Sequence, residues 1–231
     1  MKWHGRSISF MKNSFNCSIN DTYLMPELPC MAKMAIRFSN LLRWLLCMTG
    51  DRTYKTTERS IEIPLALDFI SNSLKGEAFL ELGCVLPYYI FTEPNHKVYD
   101  LADPHCDCQK KDLRFLSKEE LSSNIVSIST VEHISQDEYG IPSNSVSALD
   151  VVMGIMNNSR KFFLSFPLGV NALLDNYFIE VGSPYATFVT RCKANPLEWE
   201  VCGRKALTKE HATYGTFCAA NAVCILTNCD D

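Results

Sequence analysis

Apolar residues along this chain fall into short blocks that alternate between two spacings. "AFLEL" (78–82), "KVYDL" (97–101), "NIVSIST" (124–130), "KFFLSFPLG" (161–169) and "YATFVTRC" (185–192) are compact runs of strand length, and "FCAANAVCILT" (217–227) closes the series. "DLRFL" (112–116) fits a short third strand or a turn. Between these runs, "SVSALDVVMGIMNNS" (145–159) places Val146, Leu149, Val152, Met153 and Met156 at helical spacing, and "NALLDNYFIEVG" (171–182) reads as a helix that ends at Gly182. Upstream, "TTERSIEIPLALDFISNSLKG" reads as a helix that Pro64 interrupts and Gly76 ends. Strands that read as continuous apolar runs and alternate with helices predict an α/β domain: a parallel sheet covered on both faces.

Residues 1–35 show no periodicity and read as a loosely ordered extension, whereas 36–49 read as a helix stopped at Gly50-Asp51. The chain thus divides into an extension over 1–51 and a domain over 52–231. The apolar stretch "MAIRFSNLLRWLLCMTG" is broken by Arg37 and Arg43, which makes it too short and too charged to span a bilayer. Its leucines and Trp44 suit a helix packed on the core, or one lying on a membrane surface. The first residues lack the uninterrupted apolar centre of a secretory signal.

Composition adds little to that picture except by exclusion. With 47% hydrophobic and 21% charged residues, the 231-residue chain has ordinary globular values. A net charge of −4 argues against a nucleic-acid partner. The eleven cysteines show no CxxC pairs, which excludes a zinc-ribbon pattern. They read as mostly free thiols of a reducing, cytoplasmic setting.

In a parallel sheet the ligand sits beyond the carboxyl ends of the strands, so the residues after each strand carry the chemistry. Glu81-Leu82-Gly83 follows the first run, glycine there permits a sharp turn with close backbone approach, and Pro87 fits the first turn of a helix that follows. Asp100 closes the second run, about 20 residues on, at the offset of an acid that accepts hydrogen bonds from ribose hydroxyls. The fourth run leads into Ser129, Thr130, Glu132 and His133. Glutamate and histidine side by side suit acid–base work, and the same residues suit a helix N-terminus with Thr130 as its cap.

"LELGCVLPYY", "VYDLAD", "IVSISTVEHI" and "FFLSFPLGVNALLD", in that order, resemble the S-adenosylmethionine-dependent methyltransferase superfamily, and within it an uncharacterised bacterial and archaeal branch. The likeness covers roughly residues 56–227. It implies a Rossmann-like, doubly wound, mostly parallel sheet of about seven strands with helices on both faces. It implies S-adenosylmethionine as cofactor, with Glu81, Gly83 and Cys84 under its methionine part and Asp100 on the ribose. Asp112 is implied near the adenine, Ser129 and Thr130 along the far side, and Glu132 and His133 facing the methyl acceptor, with His133 as base. Most members of the superfamily carry Gly-x-Gly in the first loop, where this chain has Gly83-Cys84-Val85.

The resulting expectation is a cytoplasmic methyltransferase acting on a small-molecule or glycan-type acceptor, without a resident metal. Two other readings compete with it. A catalytically inactive module serving as a binding or partner subunit is the reading Val85 favours. A metal or thiol centre on His105-Cys106-Asp107-Cys108 is the weaker, lacking a distant partner pair.

Overall fold

The structure is a computed structural model that describes residues 57–89, 95–105, 108–136, 146–192, 198–214 and 220–228. The extension over 1–51 and its helix lie outside the described residues. Helix α1 (Arg59–Phe69) opens the described chain and runs into a wider π-type turn, Ile70–Leu74. Then come β1 (Phe79–Leu82), β2 (His96–Asp100), β3 (Cys108–Lys110), α2 (Lys118–Leu121), β4 (Ile125–Ile128) and α3 (Ala148–Asn158). The order ends with β5 (Phe162–Pro167), α4 (Ala172–Asn176), β6 (Ala186–Arg191), β7 (Trp199–Cys202) and β8 (Ala222–Thr227).

The eight strands form one mixed sheet in the order β3-β2-β1-β4-β5-β8-β6-β7. The first five in that order pair in parallel, whereas β8 is antiparallel to β5 and β6, and β7 is antiparallel to β6. Successive strand residues face opposite sides, and both sides are apolar. Phe162, Leu164 and Phe166 of β5 pack with Val152 and Ile155 of α3 and Leu174 of α4. On the other face Val126 and Ile128 of β4 and Phe163 of β5 pack against Ile61, Ile63, Ala66 and Phe69 of α1.

Four details differ from the sequence expectation. "DLRFL" contains no strand: Asp112 accepts the Arg114 N–H and caps a 3₁₀ turn over Leu113–Phe115. A side chain that offers the backbone a local partner competes with the ladder, and the third strand is the polar Cys108–Lys110 instead. Pro64 lies inside α1 without breaking it. It removes one hydrogen bond, and buried Ile61, Ile63 and Ala66 on either side hold the helix to the sheet. The run after the first loop is one 3₁₀ turn, Leu86–Tyr88, with Pro87 at its start. An eighth strand, β7, carries half-exposed Val201 on the sheet edge, where the apolar signal is weak.

Candidate functional site

The strand order reverses at β1, which has β2 on one side and β4 on the other. That reversal leaves a crevice outside the carboxyl ends of β1 and β4. The loop that leaves β1 is built by its own side chains. Gly83 has φ +88°, donates its N–H to the Tyr99 carbonyl at 2.7 Å, and passes so near β4 that an added Cβ would lie 1.9 Å from Thr130 Oγ1. No residue but glycine fits both conditions. The next N–H, of Cys84, donates to Asp100 Oδ2 at 3.2 Å. The two after it, of Val85 and Leu86, both donate to Glu81 Oε1, at 3.0 and 2.7 Å.

Glu81 is wholly buried, and its other oxygen meets His96 Nε2 at 2.6 Å. The imidazole is stacked on Phe79, 4.4 Å between ring centres. Val85 itself sits at φ −111°, where any L-residue is comfortable, and its side chain leans on the core beneath α1. The loop needs one glycine, and Gly83 is that residue.

Asp100 organises the turn after β2, where its Oδ1 accepts the N–H groups of Ala102 and Asp103 at 2.7 and 2.8 Å. Its Oδ2 accepts only from Cys84 among the described groups and keeps lone-pair capacity for a further donor. A cleft opens beside it, lined by Asp100, Asp112, Leu113, Thr130, His133 and Ile134 among others. Asp112 is paired with Arg114, Nη2 to Oδ2 at 2.6 Å, and the guanidinium holds its carboxyl below the usual range. The cleft is therefore lined by two carboxylates, by apolar Leu113 and Ile134, and by His133.

Two predicted residues turn the other way. Ser129, at φ +40°, donates its hydroxyl to buried Glu62 of α1, at 2.8 and 2.9 Å to the two oxygens. Glu132 is 1% exposed, and among the described residues neither carboxylate oxygen has a hydrogen-bond partner. Burial pushes its carboxyl well above the ordinary value. His133 Nε2 lies 3.7 Å from Glu132 Oε1, which links the buried group to the cleft.

Geometry thus gathers Asp100, Asp112, Thr130 and His133 around one cleft. Glu81, Gly83 and Cys84 form the loop beneath it, and Ser129 and Glu132 belong to an adjoining buried cluster. Sequence reasoning missed the α1 members of that cluster, Glu58, Arg59 and Glu62. The signal was present: three charged residues within the first turns of a helix otherwise apolar enough to be buried. Of the His105–Cys108 run, Cys106 and Asp107 lie outside the described residues, and His105 packs edge-on against Tyr88.

Among the described residues no group of three or more His, Cys, Asp or Glu side chains is placed to hold a metal ion, and no helix is long and apolar enough to cross a membrane. Cys84, Cys108, Cys192, Cys202 and Cys224 carry free thiols. No protein-family model and no curated protein matches the chain. What stands on the structure is an α/β domain with a mixed sheet and a cleft at the reversal of its strand order.

Proposed function

We propose that the chain is an S-adenosylmethionine-dependent methyltransferase acting on a small-molecule or glycan-type acceptor. The observation that carries this reading is the coincidence of the cleft with the strand-order reversal, bordered by a glycine turn on one strand and an acid on the next. A nucleoside needs that arrangement: carboxylate acceptors for its ribose hydroxyls and a flat apolar slot for its base. Asp100 supplies the first through the free capacity of Oδ2, and Leu113 and Ile134 supply the second.

S-adenosylmethionine brings the reactive methyl group, and the chain's task is to position and shield it. The acceptor's lone pair forms a bond to the methyl carbon as the carbon–sulfur bond breaks. On this reading His133, which lines the cleft, takes the proton the acceptor loses. Gly83 keeps the loop close to Thr130, so that the methionine part runs over backbone, not side chains.

A second reading, an inactive module of the same fold, is favoured by one observation. The N–H groups of Cys84, Val85 and Leu86 already have carboxylate partners within the chain. A loop so self-satisfied holds its shape without a ligand. Titration of the purified chain with S-adenosylhomocysteine separates the two readings, because only the first requires binding.

A further inference from the structure

At the other side of the sheet, β6 and the edge strand β7 border an open groove of about 570 Å³ that shares no residue with the cleft. That volume lies within the range of small-molecule sites. Val181, Pro184, Phe188, Val201, Cys202 and Arg204 are among the residues that line it. Val181 ends the π-type turn Tyr177–Val181 that continues α4, and Val201 lies in β7. At 66% and 55% exposed, they are two of the three most exposed large apolar side chains among the described residues. Neither belongs to the packed core.

Among the described residues Arg204, in the turn after β7, is the one charged side chain that lines the groove. Backbone holds it. Nη1 donates to the Glu180 carbonyl at 3.1 Å. Gly182, at φ +83°, makes room for the guanidinium, since an added Cβ would strike Nη1 and lie 2.8 Å from Cζ. A guanidinium has five N–H donors. Those of Nε and Nη2 meet no acceptor among the described residues, and no carboxylate there pairs with the group. Arg114 shows what these two nitrogens do together. Its Nε and Nη2 take the Asp112 carboxylate as a fork, at 3.0 Å to Oδ1 and 2.6 Å to Oδ2.

We propose that the groove binds a small aliphatic carboxylate of the fatty-acid type, with its head group on the Nε–Nη2 fork of Arg204 and its chain against Val181, Pro184 and Val201. Charge selects the head group. The described lining holds a cation and no acid, so it repels an ammonium, and an alcohol leaves the guanidinium unmatched. One guanidinium matches one negative charge, whereas the second charge of a phosphate monoester finds no second cation in the lining. The aliphatic chain supplies the remaining affinity, because covering Val181 and Val201 removes apolar surface from water. This site is independent of the methyltransferase reading and stands or falls without it.

The test is calorimetric titration of the full chain with octanoate, butanoate and octanol at neutral pH. Saturable, submillimolar binding of octanoate is expected. Butanoate binds more weakly, by up to about fourfold for each methylene it lacks, and octanol by on the order of tenfold or more. Arg204→Gln removes the charge and the fork, and weakens octanoate by on the order of tenfold or more while leaving octanol unchanged. Failure of octanoate to saturate overturns the proposal, as do equal affinities for octanoate and octanol, or an Arg204→Gln variant that binds octanoate as the parent does. The first two outcomes need only the parent protein, so they decide the matter even if the variant fails to fold.

Discussion

Glu81 Oε1 accepts the backbone N–H of Leu86 at 2.7 Å, five residues ahead on the loop that leaves β1. The same oxygen holds Val85, and the other oxygen holds His96. One buried carboxylate therefore fixes the path of the loop. Glu81→Ala leaves two loop N–H groups and an imidazole without their partner. Buried groups orphaned in this way cost about 1–3 kcal/mol each, so a loss of roughly 3 kcal/mol or more is expected in urea unfolding. Unchanged stability would show that the loop keeps its path without Glu81.

The Gly83-Cys84-Val85 sequence raises the question of whether a glycine is missing at Val85. Backbone angles answer it at the level of the loop: φ is +88° at Gly83 and −111° at Val85. Gly83→Ala drives a methyl group into Thr130 and strains the turn, for an expected loss of about 2–3 kcal/mol. Val85→Gly loses packing and loosens the unfolded chain, for about 1 kcal/mol, and brings no gain in cofactor affinity. A clear gain in S-adenosylhomocysteine affinity in Val85→Gly, read by calorimetry, would mean that the valine side chain obstructs the site.

Stability depends on pH through Asp175, which follows the loop after β5. Its Oδ2 accepts the Gly169 N–H at 2.8 Å, while its buried Oδ1 has no partner among the described residues, and burial raises its pKa to about 6. In the unfolded chain the value is about 3.9. Between these values the folded state binds more protons than the unfolded state, so this group's contribution to stability falls as pH rises from about 4 to 6 and is level above. Asp175→Asn keeps an acceptor for Gly169 and removes the charge. It is expected to gain on the order of 2–3 kcal/mol at pH 8 and nearly nothing at pH 4. Denaturant unfolding at the two pH values checks this; an equal effect at both would detach Asp175 from the dependence.

Asp100 and His133 line the same cleft and are expected to fail differently. Asp100→Ala removes the proposed ribose acceptor along with the organiser of the β2 turn, and is expected to weaken S-adenosylhomocysteine binding by about 1.5–3 kcal/mol. His133→Ala leaves that affinity nearly intact, and lowers turnover once an acceptor is in hand. A collapse of cofactor affinity in His133→Ala would move His133 from the acceptor side to the cofactor side.

The parallel centre of the sheet was legible because β1, β4 and β5 are buried on both faces and read as apolar runs without alternation. The short edge strands were not. β3 is "CQK" and β7 is "WEVC", too short and too polar to stand out from a turn. Gly83, Asp100, Thr130 and His133 could be placed because a strand end fixes where its next residues go. Side-chain direction could not be read. Nothing in "IST" announces that Ser129 takes φ +40° and aims its hydroxyl at Glu62, nearly seventy residues earlier in the chain. The cluster of Glu58, Arg59, Glu62 and Glu132 depends on α1 crossing the ends of β4 and β5, a tertiary fact that no local spacing encodes.

The most direct measurement is calorimetric titration of the purified chain with S-adenosylmethionine and with S-adenosylhomocysteine, without any acceptor. Micromolar binding of both, about −8 kcal/mol, is the predicted result, and it would mean that a loop satisfied by Glu81 and Asp100 still receives the cofactor. Folded protein that binds neither compound would contradict the methyltransferase reading and leave the fold with a different occupation.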